Sequence, residues 1–173
     1  VQNCLVIEMP MAEMSLRGQF RSWGQHIGED MSKAISDPNS VSHWFSDLVA
    51  GLHELHSAGI MHRDLKPDNC LLFQEGSGFK VLRISDLGSS TSIIRQDGAR
   101  HTPGMCTLWY RGLELLKAEN YDQKMDIWSA GCIFYELTTG LPPFIASRGG
   151  QEAEMLEAIT KCFVHVAGSA SSK

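Results

Sequence analysis

The run His62-Arg63-Asp64-Leu65-Lys66-Pro67-Asp68-Asn69 constrains this chain more than any other segment. Ahead of it, Val41, Trp44, Phe45, Leu48, Val49, Leu52 and Leu55 follow i, i+3, i+4 spacing. That spacing predicts an amphipathic helix, capped at Ser40 or Ser42 and ending near Gly59. Behind the run, Cys70-Leu71-Leu72-Phe73 and Val81-Leu82-Arg83-Ile84 read as two strands joined through Gln74-Glu75-Gly76-Ser77-Gly78. A hairpin returns the end of its second strand to the start of its first. Asp86, just past the second strand, is therefore brought back beside the polar run, and both face one cleft.

The residue types in that cleft suit a particular chemistry. Asp64 can accept a hydrogen bond from a hydroxyl. Lys66, two residues on, can neutralise a transferring phosphoryl oxygen. Asn69 and Asp86 offer two oxygen ligands to a hard cation, and magnesium keeps water and substrate phosphates for its other positions.

The remaining sequence is consistent with one domain, since 173 residues is close to the ~150-residue prior. Cys4-Leu5-Val6-Ile7-Glu8 reads as a buried strand broken by Met9-Pro10-Met11, and residues 12–40 as a short helix plus loop. A chain that opens at Val1, already inside a strand, reads as cut from a longer one. From Asp86 to about Leu113 the sequence is rich in Ser, Thr and Gly without a period, the signature of a functional or disordered loop. Asp126–Thr139 reads as a helix buried on most sides and ended by Gly140-Leu141-Pro142-Pro143. Glu152–Val166 is the last helical pattern, with an acidic face that reads as solvated, and 168–173 is a small polar tail.

Composition excludes several classes. Fifteen Lys and Arg against twenty Asp and Glu give a net charge of −5, which argues against a nucleic-acid backbone as the main partner. Five cysteines, without a C-x-x-C pair, fit a reduced intracellular protein of cytoplasm or nucleus better than a disulfide framework or zinc ribbon. No apolar run approaches the ~18 residues of a membrane span, and no signal or transit peptide is visible.

Through these residues the chain resembles the larger, C-terminal lobe of a eukaryotic protein kinase. That family carries H-R-D-L-x-x-x-N followed by D-F-G; here the pattern is His62 to Asn69 and then Asp86-Leu87-Gly88. Lys66-Pro67 is similar to the serine/threonine branch. Thr107-Leu108-Trp109-Tyr110-Arg111-Gly112-Leu113-Glu114 resembles T-L-W-Y-R-A-P-E of the cyclin-dependent and related (CMGC) kinases. Asp126-Ile127-Trp128-Ser129-Ala130-Gly131 resembles that lobe's central helix.

The resemblance implies a mainly α fold with one small β-hairpin, residues 1–167 forming hinge plus large lobe and 168–173 a tail. It implies ATP and Mg2+ as cofactors and Ser/Thr of proteins as phosphoacceptors. Asp64 would orient and deprotonate the substrate hydroxyl, Lys66 would steady the γ-phosphate, and Asn69 and Asp86 would hold magnesium. Adenine would sit at the hinge, at Glu8, Pro10 and Met11, with Ile7 as gatekeeper and Leu71 beneath. Proline has no N–H to offer, so a shift of one residue to Met11 supplies it. Arg63 would pair with a phosphorylated Thr102, and Thr107 would brace Asp64 and Lys66. His62 and Asp126 would be structural. An activating kinase or a cyclin-like regulator would be a partner.

The sequence also departs from the family. Phe of D-F-G is Leu87, and A-P-E is Gly112-Leu113-Glu114, which implies a looser docking segment. No G-x-G-x-x-G loop precedes the hinge, and no Lys–Glu pair of the small lobe is found, so that lobe is expected to be largely absent. A second function then stands beside catalysis: a truncated kinase or pseudokinase acting as a non-catalytic protein-binding module.

Overall fold

The computed structural model describes residues 9–27, 38–76, 78–93, 107–145 and 152–170. The strand expected at residues 4–8 lies outside them. Met9 to Ala12 are coil, followed by strand β1 (Met14–Ser15) and helix α1 (Leu16–Ile27). Helix α2 (Pro38–Ser57) begins before both cap candidates, so Ser40 and Ser42 lie inside it. Pro38 suits the first position, where its fixed φ and missing N–H cost nothing. The helix ends as the sequence predicts: Gly59 takes φ +75, a left-handed turn that side chains resist.

Strand β2 (Ile60–Met61) leads into the polar run. The predicted hairpin forms from β3 (Cys70–Gln74) and β4 (Lys80–Ile84), antiparallel, with Cys70 opposite Ile84 and Leu72 opposite Leu82. It is not alone. β1 adds to β3, pairing Met14 with Leu72, and β5 (Thr91–Ser92) pairs with β2. Two-residue strands carry no readable period, which is why alternation finds only the hairpin.

The hairpin is seated on α2. Trp44 donates its indole N–H to Lys80 O at 2.9 Å, and Asp47 accepts from the outward N–H of Leu82 at 3.0 Å. The second bond satisfies a donor that the edge strand β4 would otherwise expose. Helix α3 (Leu113–Leu116), α4 (Lys124–Thr139) and α5 (Glu152–Ala170) complete the fold. α5 continues past Val166 through Ala170, so part of the expected tail is helical.

One core joins α1, α2, the hairpin and α4 through Leu16, Phe20, Leu48, Leu52, Leu72 and Ile133. The helix α4 is not buried on most sides. Its inner face is dry at Met125, Ser129, Ile133 and Leu137, but Ile127, Phe134 and Tyr135 are exposed. Its apolar composition hides this two-sidedness, because every face carries apolar residues.

Candidate active site

The polar run is held from below. Asp126, in the first turn of α4 and fully buried, accepts from the backbone N–H of His62 and of Arg63, each at 2.9 Å. His56 of α2 joins the same carboxylate through Nε2 at 2.9 Å. Arg63 has φ +69, a conformation costly for a residue with a Cβ, and these bonds hold it there. His62 is buried, with Nε2 at 2.9 Å from Ser85 O and Nδ1 accepting from Asp64 N at 3.3 Å. That pattern matches the tautomer protonated at Nε2. The ring thus ties the loop to the exit of β4.

Asp64 is gripped at both oxygens. Oδ1 accepts from Thr107 N at 3.0 Å and Thr107 Oγ1 at 2.9 Å. Oδ2 accepts from Lys66 Nζ at 2.6 Å, and Lys66 also donates to Thr107 Oγ1 at 3.1 Å. Charge-assisted bonds of this kind are the stronger ones and fix the carboxylate's plane. The side chain of Asp64 keeps 14% exposure, so the gripped group still meets solvent.

Asn69 is buried, and its amide nitrogen donates to Asp64 O at 2.8 Å. With the nitrogen committed, the amide oxygen is the atom left to serve as a ligand. Ser85 bonds back to Asn69 O through both N, at 2.9 Å, and Oγ, at 3.0 Å. These two bonds close the hairpin ends and bring Asp86 beside Asn69. Asp86 is exposed, sits at φ +63, and accepts from Gly88 N at 3.2 Å through Oδ1. Among the described residues no group of three or more His, Cys, Asp or Glu side chains is gathered for a metal. An amide oxygen and one carboxylate, both hard donors, fit magnesium that completes its shell with phosphate and water.

Leu71 is half buried on the side of β3 opposite the buried Cys70 and Leu72. Pro10 and Met11 are exposed coil, Met11 at 94%. Glu8, Ile7 and Thr102 lie outside the described residues. Arg63 holds other partners here: Nε donates to Ser89 O at 2.6 Å, and Nη1 lies 3.4 Å from the Tyr121 hydroxyl.

The segment around Gly112-Leu113 takes backbone that does not require glycine. Gly112 has φ −72 and ψ 166, extended backbone open to any residue, and Leu113 occupies the first helical position where proline also fits. A Cβ on Gly112 would lie 2.5 Å from the Glu114 carboxylate, so here the missing side chain makes room for Glu114 to fold back. Ser129 of α4 donates to Tyr110 O at 2.8 Å. The Tyr110 hydroxyl donates to Glu136 Oε2 at 2.7 Å, and Arg17 of α1 bonds to both Glu136 and Tyr110 and reaches Asp68 at 3.5 Å. Sequence reasoning misses this knot of Arg17, Tyr110 and Glu136, since its members are 26 to 119 residues apart. The only available signal is a glutamate, Glu136, within an apolar helix.

Burial pushes the Cys70 thiol up to about 12, with the Asp68 carboxylate adding to it. Burial, then Glu136, likewise raises the Tyr110 hydroxyl. An unfolded chain releases these protons near pH 8.5 and 10, whereas the fold keeps them. Stability is therefore fully present below about pH 8.5 and falls as the pH rises above it, by up to ~1.4 kcal/mol per pH unit per group. Urea midpoints at pH 8 and pH 10.5 check this; an unchanged midpoint contradicts the dry placement of both groups.

Comparison with known proteins shows the family. The family model for the protein kinase domain matches residues 4–171. A probable cell division protein kinase of Encephalitozoon cuniculi is 43% identical over 158 residues, 91% of this chain and 44% of the relative. Cyclin-dependent kinase C-3 of Oryza sativa subsp. japonica is 37% identical, over 83% of this chain and 43% of the relative. In the crystal structure of the yeast RNA Pol II CTD kinase CTDK-1 complex, one chain superposes with TM-score 0.70 at 30% identity, covering 86% of this chain and 43% of that one. The chain belongs to the protein kinase domain family, and its fold is a kinase fold of helices and small sheets. Its relatives place it with the cyclin-dependent-kinase-like serine/threonine kinases. It spans less than half the length of these relatives, 44% and 43%. Among the described residues no helix is long and apolar enough to cross a membrane.

Proposed function

We propose that this chain is the hinge and large lobe, residues 1–167 with a tail at 168–173, of a longer kinase that phosphorylates Ser or Thr on proteins. The grip on Asp64 carries the reading. A carboxylate fixed at Oδ1 by Thr107 and at Oδ2 by Lys66, yet open to solvent, is placed to receive the proton of an incoming hydroxyl. Lys66 is the cation beside it, suited to the charge that builds on a transferring phosphoryl group. Asn69 and Asp86 would hold magnesium, which when bound neutralises phosphate charge. Leu71, with the hinge at Glu8, Pro10 and Met11, would take the adenine of ATP.

Arg63 is the cation for an activating phosphate on Thr102, exchanging its bonds to Ser89 and Tyr121 for a bidentate one. Protein substrates, an activating kinase and a cyclin-like regulator are the partners this reading calls for, inside the cell. A fluorescent ATP analogue tests it on the full-length protein. We expect magnesium-dependent binding that D86A weakens at least ~10-fold, since the loss of a charged ligand removes well over 1 kcal/mol. Absence of nucleotide binding by the folded protein would favour the non-catalytic binding module instead.

A further inference from the structure

The hairpin β3–β4 ends in a pair that is only half made. Its register, with Cys70 opposite Ile84, sets Asn69 opposite Ser85. A hydrogen-bonded antiparallel pair exchanges two backbone bonds. One is present, from Ser85 N to Asn69 O at 2.9 Å. The groups of the other are engaged elsewhere. Asn69 N donates to Lys66 O at 2.9 Å, within the turn Pro67–Asn69, and Ser85 O lies 2.9 Å from His62 Nε2. In place of the missing bond, Ser85 Oγ donates to Asn69 O at 3.0 Å. A carbonyl oxygen has two lone pairs, so Asn69 O accepts both donors.

The backbone bond could be made by any residue except proline. The second bond needs a side-chain donor, which this sequence supplies as a hydroxyl. A strand end held by one bond can turn about it, whereas two donors on different atoms fix the orientation of Ser85. The next residue is Asp86, exposed and held at φ +63. Its bond to Gly88 N at 3.2 Å is local and does not relate it to Asn69. The Asn69 side chain is set separately, by its 2.8 Å bond to Asp64 O. The placement of one candidate ligand relative to the other therefore passes through Ser85.

We propose that Ser85 is a positioning residue for the magnesium site. Its hydroxyl, bound to Asn69 O, holds Asp86 beside Asn69 so that the carboxylate and the amide oxygen serve one cation. Magnesium tolerates little departure from octahedral geometry, and groups that orient its ligands weigh on its affinity. The inference rests on the kinase reading and adds to it a residue that is itself no ligand.

The test measures binding of a fluorescent ATP analogue to the full-length protein, in magnesium and in EDTA. The readout is the factor by which magnesium tightens binding. Ser85→Ala should lower that factor about two- to tenfold, the ordinary worth of one hydrogen bond. Affinity in EDTA should stay within about twofold, because the altered hydroxyl acts only through the metal's ligands. Ser85→Thr retains the hydroxyl and should keep the factor within about twofold of wild type. A factor unchanged in Ser85→Ala, including one where binding weakens equally with and without magnesium, overturns this inference alone and makes Ser85 a residue of the fold. A factor as low in Ser85→Thr as in Ser85→Ala overturns it as well. Wild-type binding that magnesium does not tighten overturns the magnesium assignment, and the inference falls with it.

Discussion

Asp64→Asn in the full-length protein should lower turnover by about 10²- to 10⁴-fold, the contribution of a positioned general base. The substitution leaves the size of the side chain and its oxygen toward Thr107, so the bonds from Thr107 N and Oγ1 to that oxygen persist. The other oxygen becomes an amide nitrogen facing Lys66 Nζ, and a carboxylate–ammonium contact of 2.6 Å becomes donor against donor. Lys66 must swing away, and no group is left to take the hydroxyl's proton. The bonds from His62 and Arg63 to Asp126 and the 2.8 Å bond from Asn69 Nδ2 to Asp64 O do not use the altered atoms; only the long 3.4 Å bond from Asn69 Nδ2 to Asp64 Oδ2 is lost. The melting temperature should therefore move by only a few degrees, and nucleotide binding at Asn69 and Asp86 should survive. Steady-state turnover beside a thermal melt decides it. Near-normal turnover would remove Asp64 from the chemistry; a large loss of melting temperature would make the effect a folding one.

The parts of this fold legible in the sequence are those fixed by local pattern. The helix before the polar run, the hairpin, and the returning carboxylate Asp86 follow from periodicity and turn residues, because each is decided within a few neighbours. Thr107 was legible only through the family resemblance: it lies 41 residues from Lys66 and 43 from Asp64, and no spacing rule joins them. The strands Met14–Ser15 and Thr91–Ser92 were not legible, since two residues carry no alternation and pairing alone makes them strands. The exposed face of α4 was misread because hydrophobicity reports what a helix can bury and not what covers it. Arg111 and Glu152 show a further limit. Arg111 reads as part of the T-L-W-Y-R motif and Glu152 as solvated surface charge, and only the fold shows that they meet.

Glu136→Ala should be among the most destabilising single changes in the chain. The Glu136 side chain is 2% exposed and that of Arg17 is 18% exposed. Burial opposes the charge of the Arg17 guanidinium, but Tyr110, Glu136 and Asp68 together hold it cationic, and without Glu136 it would keep, among the described residues, Asp68 at 3.5 Å as its carboxylate partner. The Tyr110 hydroxyl would lose its 2.7 Å acceptor. Removing one member of a buried pair costs about 3–5 kcal/mol, because the other charge stays desolvated. At about 2–4 °C per kcal/mol for a chain of this size, the melting temperature should fall by roughly 6–20 °C. E136Q, which retains an acceptor oxygen for Tyr110, should lose less. Replacing the whole knot by apolar groups, R17M with E136L and Y110F, should recover much of the loss, since no charge or hydroxyl is then left buried without a partner. A melting temperature within about 2 °C of wild type in Glu136→Ala would show that water reaches Arg17 and that the pair is not what anchors the Tyr110 turn to α4. The expected order, alanine worst, glutamine intermediate and the apolar triple nearest to wild type, separates a desolvated charge from simple loss of packing, which would leave the triple no better than alanine.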